Sequence, residues 1–92
     1  MTRSVHKLAY GLLRDRLRAM RTEAGLSQRA LATRLRVPHS WVAKVESGER
    51  RLDTVEFIEF AQACGCDASE AFEDIVQQMG ASPVKRAGKG VR

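Results

Sequence analysis

Two short amphipathic segments joined by a three-residue connection constrain the fold of this chain more than any other feature. The first follows Ser27, whose hydroxyl can cap a helix by accepting a hydrogen bond from a backbone amide, and it should run to about Leu35. Pro38 disfavours helical backbone in the residue before it but tolerates the start of a helix. A second helix is therefore expected from about His39 to Ser47, where Gly48 ends it.

Three further segments show the apolar spacing of amphipathic helices, and no segment shows the alternation of a strand. These helices are expected over about 9–24, 54–64 and 68–79. Two of them begin with the capping-box pattern, in which an Asp is followed three residues later by a Glu: Asp53 with Glu56, and Asp67 with Glu70. The sequence therefore predicts an all-α fold of five helices.

The charges are divided between two parts of the chain. The chain has 92 residues and a net charge of +5, a length that fits one small domain. Residues 1–51 hold 12 basic and 4 acidic side chains, whereas residues 52–81 hold 7 acidic and no basic ones. The basic part favours a polyanionic partner, either nucleic acid or an anionic membrane, and the acidic part can face a protein partner or solvent.

The last residues differ in composition from the rest. We expect one domain over residues 1–80 and a disordered tail over residues 81–92, which mixes Gly, Pro and basic residues without periodicity. Four basic side chains could give the tail sequence-independent affinity for DNA: Lys85, Arg86, Lys89 and Arg92.

Several function classes lack their sequence signals. Cys64 and Cys66 lie too close together to join distant elements, and no His or third Cys nearby completes a metal site. Paired carboxylates, a Cys-His arrangement and a phosphate-binding loop are not found, so we expect no enzyme and no cofactor. Without a signal segment or an apolar run of roughly 18 residues, we expect a cytoplasmic protein with no membrane partner.

Two runs of residues carry a more specific pattern. They are Leu17-Arg18-x-x-Arg21-x-x-x-Gly25-Leu26-Ser27-Gln28-x-x-Leu31-Ala32-x-x-Leu35 and Trp41-Val42-x-Lys44-Val45-Glu46-x-Gly48-Glu49-Arg50-Arg51. Over about residues 16–72 the chain resembles the Cro and phage-repressor (XRE) family. The resemblance implies a lambda-repressor-like domain with its helix-turn-helix at helices 2 and 3, and a DNA-binding transcriptional regulator that is most often a repressor.

The resemblance also implies which residues contact DNA. Gln28 follows the cap of helix 2 and is expected to bind a backbone phosphate, with Arg29 beside it. Base-reading positions fall on His39, Ser40 and Lys44, and contacts to the sugar-phosphate backbone on Ser47, Arg50 and Arg51. For Gln28 and the base-reading positions, the alternative is an ordinary solvated helix surface. Trp41 stays open between contacting DNA with its indole N–H and packing against a neighbouring helix.

Other positions are assigned structural roles by the same resemblance. Arg21 and Glu46 are expected to form an internal salt bridge that orients helix 3. The sequence departs from the family pattern at Arg36, where glycine is usual and a positive φ is expected, and at Pro38, which replaces the usual Ser or Thr cap, so that helix 3 could start a residue later.

A homodimer is expected, since two-fold dimers of this motif place their recognition helices about one DNA turn, roughly 34 Å, apart. The candidate interface is the apolar stripe of helix 5, with help from the N-terminus: Phe72, Ile75, Val76 and Met79, then Val5, Leu8 and Leu12. The alternative is that these residues serve the core of one molecule. A different function remains open too, an antitoxin or adaptor whose acidic helices 4 and 5 bind another protein.

Overall fold

The computed structural model of the chain describes residues 3–80, and the side chains of residues 7–80. Its five helices are α1 (Arg3–Glu23), α2 (Gln28–Leu35), α3 (His39–Ser47), α4 (Thr54–Ala63) and α5 (Ala68–Gln78). No strand occurs between residues 3 and 80, which confirms the all-α prediction. The helix α1 begins earlier than expected, at Arg3 instead of near Ala9. The predicted tail and the side chain of Val5 lie outside the described residues.

Short polar side chains determine where three of the helices begin. The Oγ atom of Ser27 accepts a hydrogen bond from the backbone amide of Ala30 at 3.0 Å, which caps α2. Asp53 and Glu56 form the complete capping box predicted for α4. At α5 only the Asp67 half of the predicted box forms, and Asp67 has a ψ of 117° where Asp53 has 176°.

A single apolar core joins all five helices. In α1, α3, α4 and α5 the buried residues recur at spacings of three or four, and in α2 they are adjacent, so one side of every helix faces inward. They are Leu17, Met20, Leu31, Ala32, Val42, Val45, Phe57, Phe60, Ala61, Cys64, Ala71 and Ile75. Burying a side chain as large as Phe60 contributes about 2 kcal/mol, so this core holds α2 and α3 at a fixed angle on the rest of the molecule.

The turn between α2 and α3 has the unusual backbone that the sequence predicts. Arg36 has φ 62° and ψ 44°, which confirms a positive φ at a residue other than glycine. The amide of Val37 then donates to the carbonyl of Ala32 at 3.0 Å and closes the end of α2. Directly afterwards α3 begins at His39, with Pro38 as its N-cap and no side-chain capping bond.

Within the described range, no helix is long and apolar enough to cross a membrane.

The strain at Arg36 can be measured. Arg36→Gly should raise the free energy of unfolding by about 0.5–1 kcal/mol, because glycine adopts this conformation without the clash of a Cβ atom. The opposite change is Gly65→Ala: at φ +75° with nothing within 4 Å of an added Cβ atom, backbone strain is the main cost, and stability should fall by about 1 kcal/mol. Urea denaturation measures both. A loss of stability in Arg36→Gly would contradict a strained turn.

Candidate nucleic-acid interface

The outward surface of α3 carries the three predicted base-reading residues. His39, Ser40 and Lys44 are exposed, whereas Val42 and Val45 are buried on the opposite side of the helix. Ser40 and Lys44 are four residues apart and therefore lie one above the other on the helix surface. The structure thus places all three side chains on the solvent side of one short helix.

A buried carboxylate lies on the inner side of the same helix. Glu46 is only 1% exposed, and Arg21 of α1 donates to it from Nε at 2.7 Å and from Nη2 at 2.9 Å. The third donor group of Arg21, Nη1, bonds to the carbonyl of Leu26 at 2.9 Å. Gln28 adds a bond from its Nε2 at 3.0 Å, and Arg18 brings its Nε to 3.7 Å. One carboxylate therefore connects α1, the first turn of α2 and α3.

The charges around Glu46 keep it ionised. Burial acts to raise the pKa of Glu46, but the hydrogen bonds from Arg21 and Gln28 and the charges of Arg21 and Arg18 outweigh burial, so the pKa lies below its usual value of 4.5. The hydrogen bond to Glu46 raises the pKa of Arg21 in turn. The predicted partner pair thus forms in the structure, and Gln28, expected on a phosphate, also bonds to it.

Arg50 is half-buried and pairs with a carboxylate of α4. Its Nη1 and Nη2 atoms donate to the two carboxylate oxygens of Glu56 at 3.1 Å each, and this pairing raises the pKa of Arg50 and lowers that of Glu56. Its guanidinium also lies over the ring of Trp41, 5.0 Å from the ring centre. Trp41 is half-buried and packs against the core, as one of its two alternatives had it. Glu56 offsets the charge of Arg50, whose expected phosphate contact stays a prediction.

Arg51, the next residue, is placed differently. Its guanidinium carbon lies 4.1 Å from the centre of the Tyr10 ring, and the side chain is exposed. Ser47 is exposed as well, and its hydroxyl donates to the carbonyl of Lys44 while accepting from the amide of Glu49. Arg29 is exposed on α2. These residues stay available on the surface around α3.

Sequence reasoning missed two residues of α1 that contact the end of α3 and the loop after it. Tyr10 accepts a hydrogen bond from the amide of Leu52 at 3.3 Å, in addition to its contact with Arg51. Arg14 donates to the carbonyl of Glu46 at 3.3 Å and lies so close to Gly48 that an added Cβ atom would sit 3.2 Å from it. Tyr10 continues the apolar stripe of α1 three residues before Leu13, a signal that could have identified it.

The apolar stripe predicted as a dimer interface is divided by the structure. Phe72 is 59% exposed and Met79 is 53% exposed, while Val76 is half-buried. Ile75 is only 7% exposed and belongs to the core, one turn from Ala71, which is the alternative of a residue that serves one molecule. Its remaining exposed part lines a groove beside Phe72 and Met79, so its place in an interface stays a prediction. The groove has a volume of about 420 Å³, and Tyr10 and Leu13 form its other wall.

Neither cysteine is placed for metal binding. Cys64 is buried, and burial raises the pKa of its thiol to about 11, which keeps the thiol protonated. Cys64 and Cys66 are both free thiols. Among the described side chains, those of residues 7–80, no group of three or more His, Cys, Asp or Glu is arranged to hold a metal ion.

Comparisons with known proteins agree with this geometry. Residues 12–73 match a family model described as a helix-turn-helix domain. An XRE-family like protein from Pseudomonas syringae pv. tomato str. DC3000 has a similar solved structure, with 38% sequence identity and a TM-score of 0.79, and the similarity covers 84% of this chain and 94% of that chain. No curated protein matches the sequence. The matched residues 12–73 include α2, α3 and the loop after α3.

The contribution of Glu46 to stability can be measured as a function of pH. Its lowered pKa means that its stabilisation is complete above the usual value of 4.5 and is lost as the pH falls through the lower value in the folded protein. Glu46→Gln should therefore cost about 3 kcal/mol at neutral pH, because it leaves Arg21 without its counter-charge, and the difference from the wild type should shrink in acid. Urea denaturation over a pH series measures this difference.

A matched control is Glu59→Gln, which removes an exposed carboxylate of α4 that forms no ion pair with any described residue. It should change stability by less than about 0.5 kcal/mol at every pH. If the difference in unfolding free energy between Glu46→Gln and the wild type did not shrink as the pH falls below 4.5, the result would contradict a carboxylate with a lowered pKa.

Proposed function

This chain belongs to the XRE type of helix-turn-helix DNA-binding protein, and from that premise we propose that it is a sequence-specific repressor that binds double-stranded DNA as a homodimer. The observation that carries the proposal is the outward surface of α3. His39, Ser40 and Lys44 project there without a side-chain hydrogen bond or ion pair to any described residue. An α-helix fits the major groove of B-DNA, where such side chains reach the edges of the bases.

The base contacts follow from the chemistry of these side chains. The ammonium group of Lys44 is a donor suited to O6 and N7 of guanine, while Ser40 and His39 can donate or accept. Because α3 has only nine residues, three such side chains at its start and one turn along span a few base pairs. We infer that they distinguish one operator sequence from another.

The phosphate contacts come from the elements around α3. The free amides at the N-terminus of α2 attract an anion, and Gln28 and Arg29 lie there. Ser47 and Arg51 provide donors at the other end of α3. Arg50 supports this loop through Glu56, which offsets its charge, so its contribution to phosphate binding is expected to be smaller than that of Arg51. The uneven charge also helps, because acidic α4 and α5 are repelled by DNA and turn the basic helices toward it.

A second copy is proposed to pack against α5. Phe72 and Met79 are exposed and line the groove whose other wall includes Tyr10 and Leu13, and half-buried Val76 lies between them in the sequence of α5. Leu8, exposed on α1, and half-buried Leu12 extend the apolar surface. Exposed apolar side chains that cluster on one side favour association with a matching surface. We place such a dimer in the cytoplasm on DNA, with residues 1–80 as its folded unit.

The test of DNA recognition begins with selection from a random duplex library, followed by affinity measurements by fluorescence anisotropy at several salt concentrations. Lys44→Ala should weaken binding to the selected duplex by about 1–3 kcal/mol and relax the preference at one base pair. Arg51→Ala should weaken binding to selected and random duplexes alike, and should reduce the slope of log affinity against log salt by about 0.9. Equal losses from Lys44→Ala on both duplexes would show a phosphate contact there instead.

The salt dependence of duplex binding by the wild type distinguishes a DNA-binding regulator from a protein-interaction module. A DNA reader should lose affinity steeply as salt is added, since each phosphate contact releases counterions. A protein without duplex affinity at low salt would favour the protein-interaction module, in which the acidic surface of α4 and α5 binds another protein.

The proposed dimer can be tested by charge substitution. Phe72→Glu should convert the dimer to a monomer in sedimentation velocity, because it places a carboxylate in an apolar interface. Val55→Glu is the matched control, since Val55 is 62% exposed on α4 and lies outside the proposed interface, and it should leave the dimer intact. Circular dichroism checks that both variants fold. A wild type that sediments as a monomer at high concentration contradicts the proposal.

A further inference from the structure

Tyr10 joins α1 to the loop that follows the proposed recognition helix. It lies two residues before the start of the family match at residue 12, so the match assigns it no role. Its hydroxyl accepts the backbone N–H of Leu52 at 3.3 Å, and the guanidinium of Arg51 lies over its ring at 4.1 Å. One side chain thus contacts two consecutive loop residues, Arg51 through its side chain and Leu52 through its backbone.

The contact with the ring restricts Arg51 without using its donors. A guanidinium is planar, and when its flat side lies on an aromatic ring its N–H groups still point outward from its edge. A free arginine side chain has many rotamers and loses that freedom when it binds a phosphate. An arginine already restricted by a ring loses less on binding. The neighbouring Arg50 differs, because its Nη1 and Nη2 atoms already bond to Glu56.

We propose that Tyr10 is a positioning residue for DNA binding, which orders Arg51 over its ring and anchors Leu52 so that the guanidinium faces a backbone phosphate before DNA arrives. The inference rests on the proposed function, since it needs a phosphate beside Arg51. It adds a second role for Tyr10, which also lines the groove of the proposed dimer surface. Tyr10 itself contacts no base and no phosphate.

The experiment is a double-mutant cycle with Tyr10→Leu and Arg51→Ala in the full chain, using the selected duplex and a random duplex as probes. Tyr10→Leu should weaken binding to both duplexes by about two- to fivefold, the range expected for an exposed cation–π contact, and should leave the sequence preference unchanged. In the Arg51→Ala background the same substitution should have no further effect, because the side chain that it positions is gone. Tyr10 also lines the groove of the proposed dimer, so sedimentation velocity must show the same oligomeric state for all variants compared. Tyr10→Phe keeps the ring and should retain most of the affinity.

A second measurement needs no DNA. The motion of the Arg51 Nε–Hε group on the picosecond to nanosecond timescale can be followed by NMR relaxation in the free protein. The group should be ordered in the wild type and in Tyr10→Phe, and mobile in Tyr10→Leu. A general loss of stability would not produce this pattern, because it would affect Arg51 no more than other surface arginines. Thermal unfolding measures any such loss separately.

The outcomes separate the inference from the proposed function. Equal losses from Tyr10→Leu with and without Arg51, or an Arg51 that is already mobile in the wild type, would overturn the positioning role and leave DNA binding standing. A wild type that binds no duplex would overturn the proposed function and the inference with it. Non-additive losses with an ordered Arg51 would support both.

Discussion

The buried carboxylate of Glu46 is the interaction on which the arrangement of α1, α2 and α3 depends. An ionised group that is 1% exposed is tolerated only when charged and polar partners replace the water that it loses. Arg21 and Gln28 supply those partners from two other helices, so the carboxylate can be satisfied only when α1, α2 and α3 are correctly placed. The orientation of α3 therefore depends on the hydrogen bonds and ion pairs of Glu46 on its inner side. These have stricter geometry than apolar contacts, so they specify the orientation more closely than apolar packing alone would.

The loop after α3 shows how neighbouring residues of one type acquire different roles. Arg50 and Arg51 have the same charge and are adjacent, yet one pairs with Glu56 of α4 and the other lies over Tyr10 of α1. The pairing of Arg50 fixes the loop to the acidic half of the molecule, and the ring contact fixes it to the basic half. The loop is thus held from both sides, and only one of the two arginines has its charge offset by a carboxylate of the described residues.

The sequence predicted what local rules control. The caps at Ser27 and Asp53 depend on a few neighbouring residues, so each could be expected without knowledge of the rest of the fold. The positive φ of Arg36 was implied by the resemblance, since glycine is usual at that position of the family. The resemblance supplied the pairing of Arg21 with Glu46. What could not be predicted depends on contacts distant in sequence, such as Tyr10 with Leu52, or on the direction of one side chain, such as Ile75 turning into the core.

The size of the domain explains why α5 combines core and surface in adjacent positions. A chain of this length cannot cover every side of five helices, so an apolar stripe wider than the core must leave part of itself in water. Ile75 and Ala71 take the inward positions, and Phe72, between them in sequence, can only point away while its ring edge contacts Phe57. Folding therefore completes the inner half of the stripe and leaves the outer half apolar. That outer half lies beside Tyr10 and Leu13 of α1. A surface that covers it would therefore also lie against the helix whose Tyr10 contacts the loop after α3.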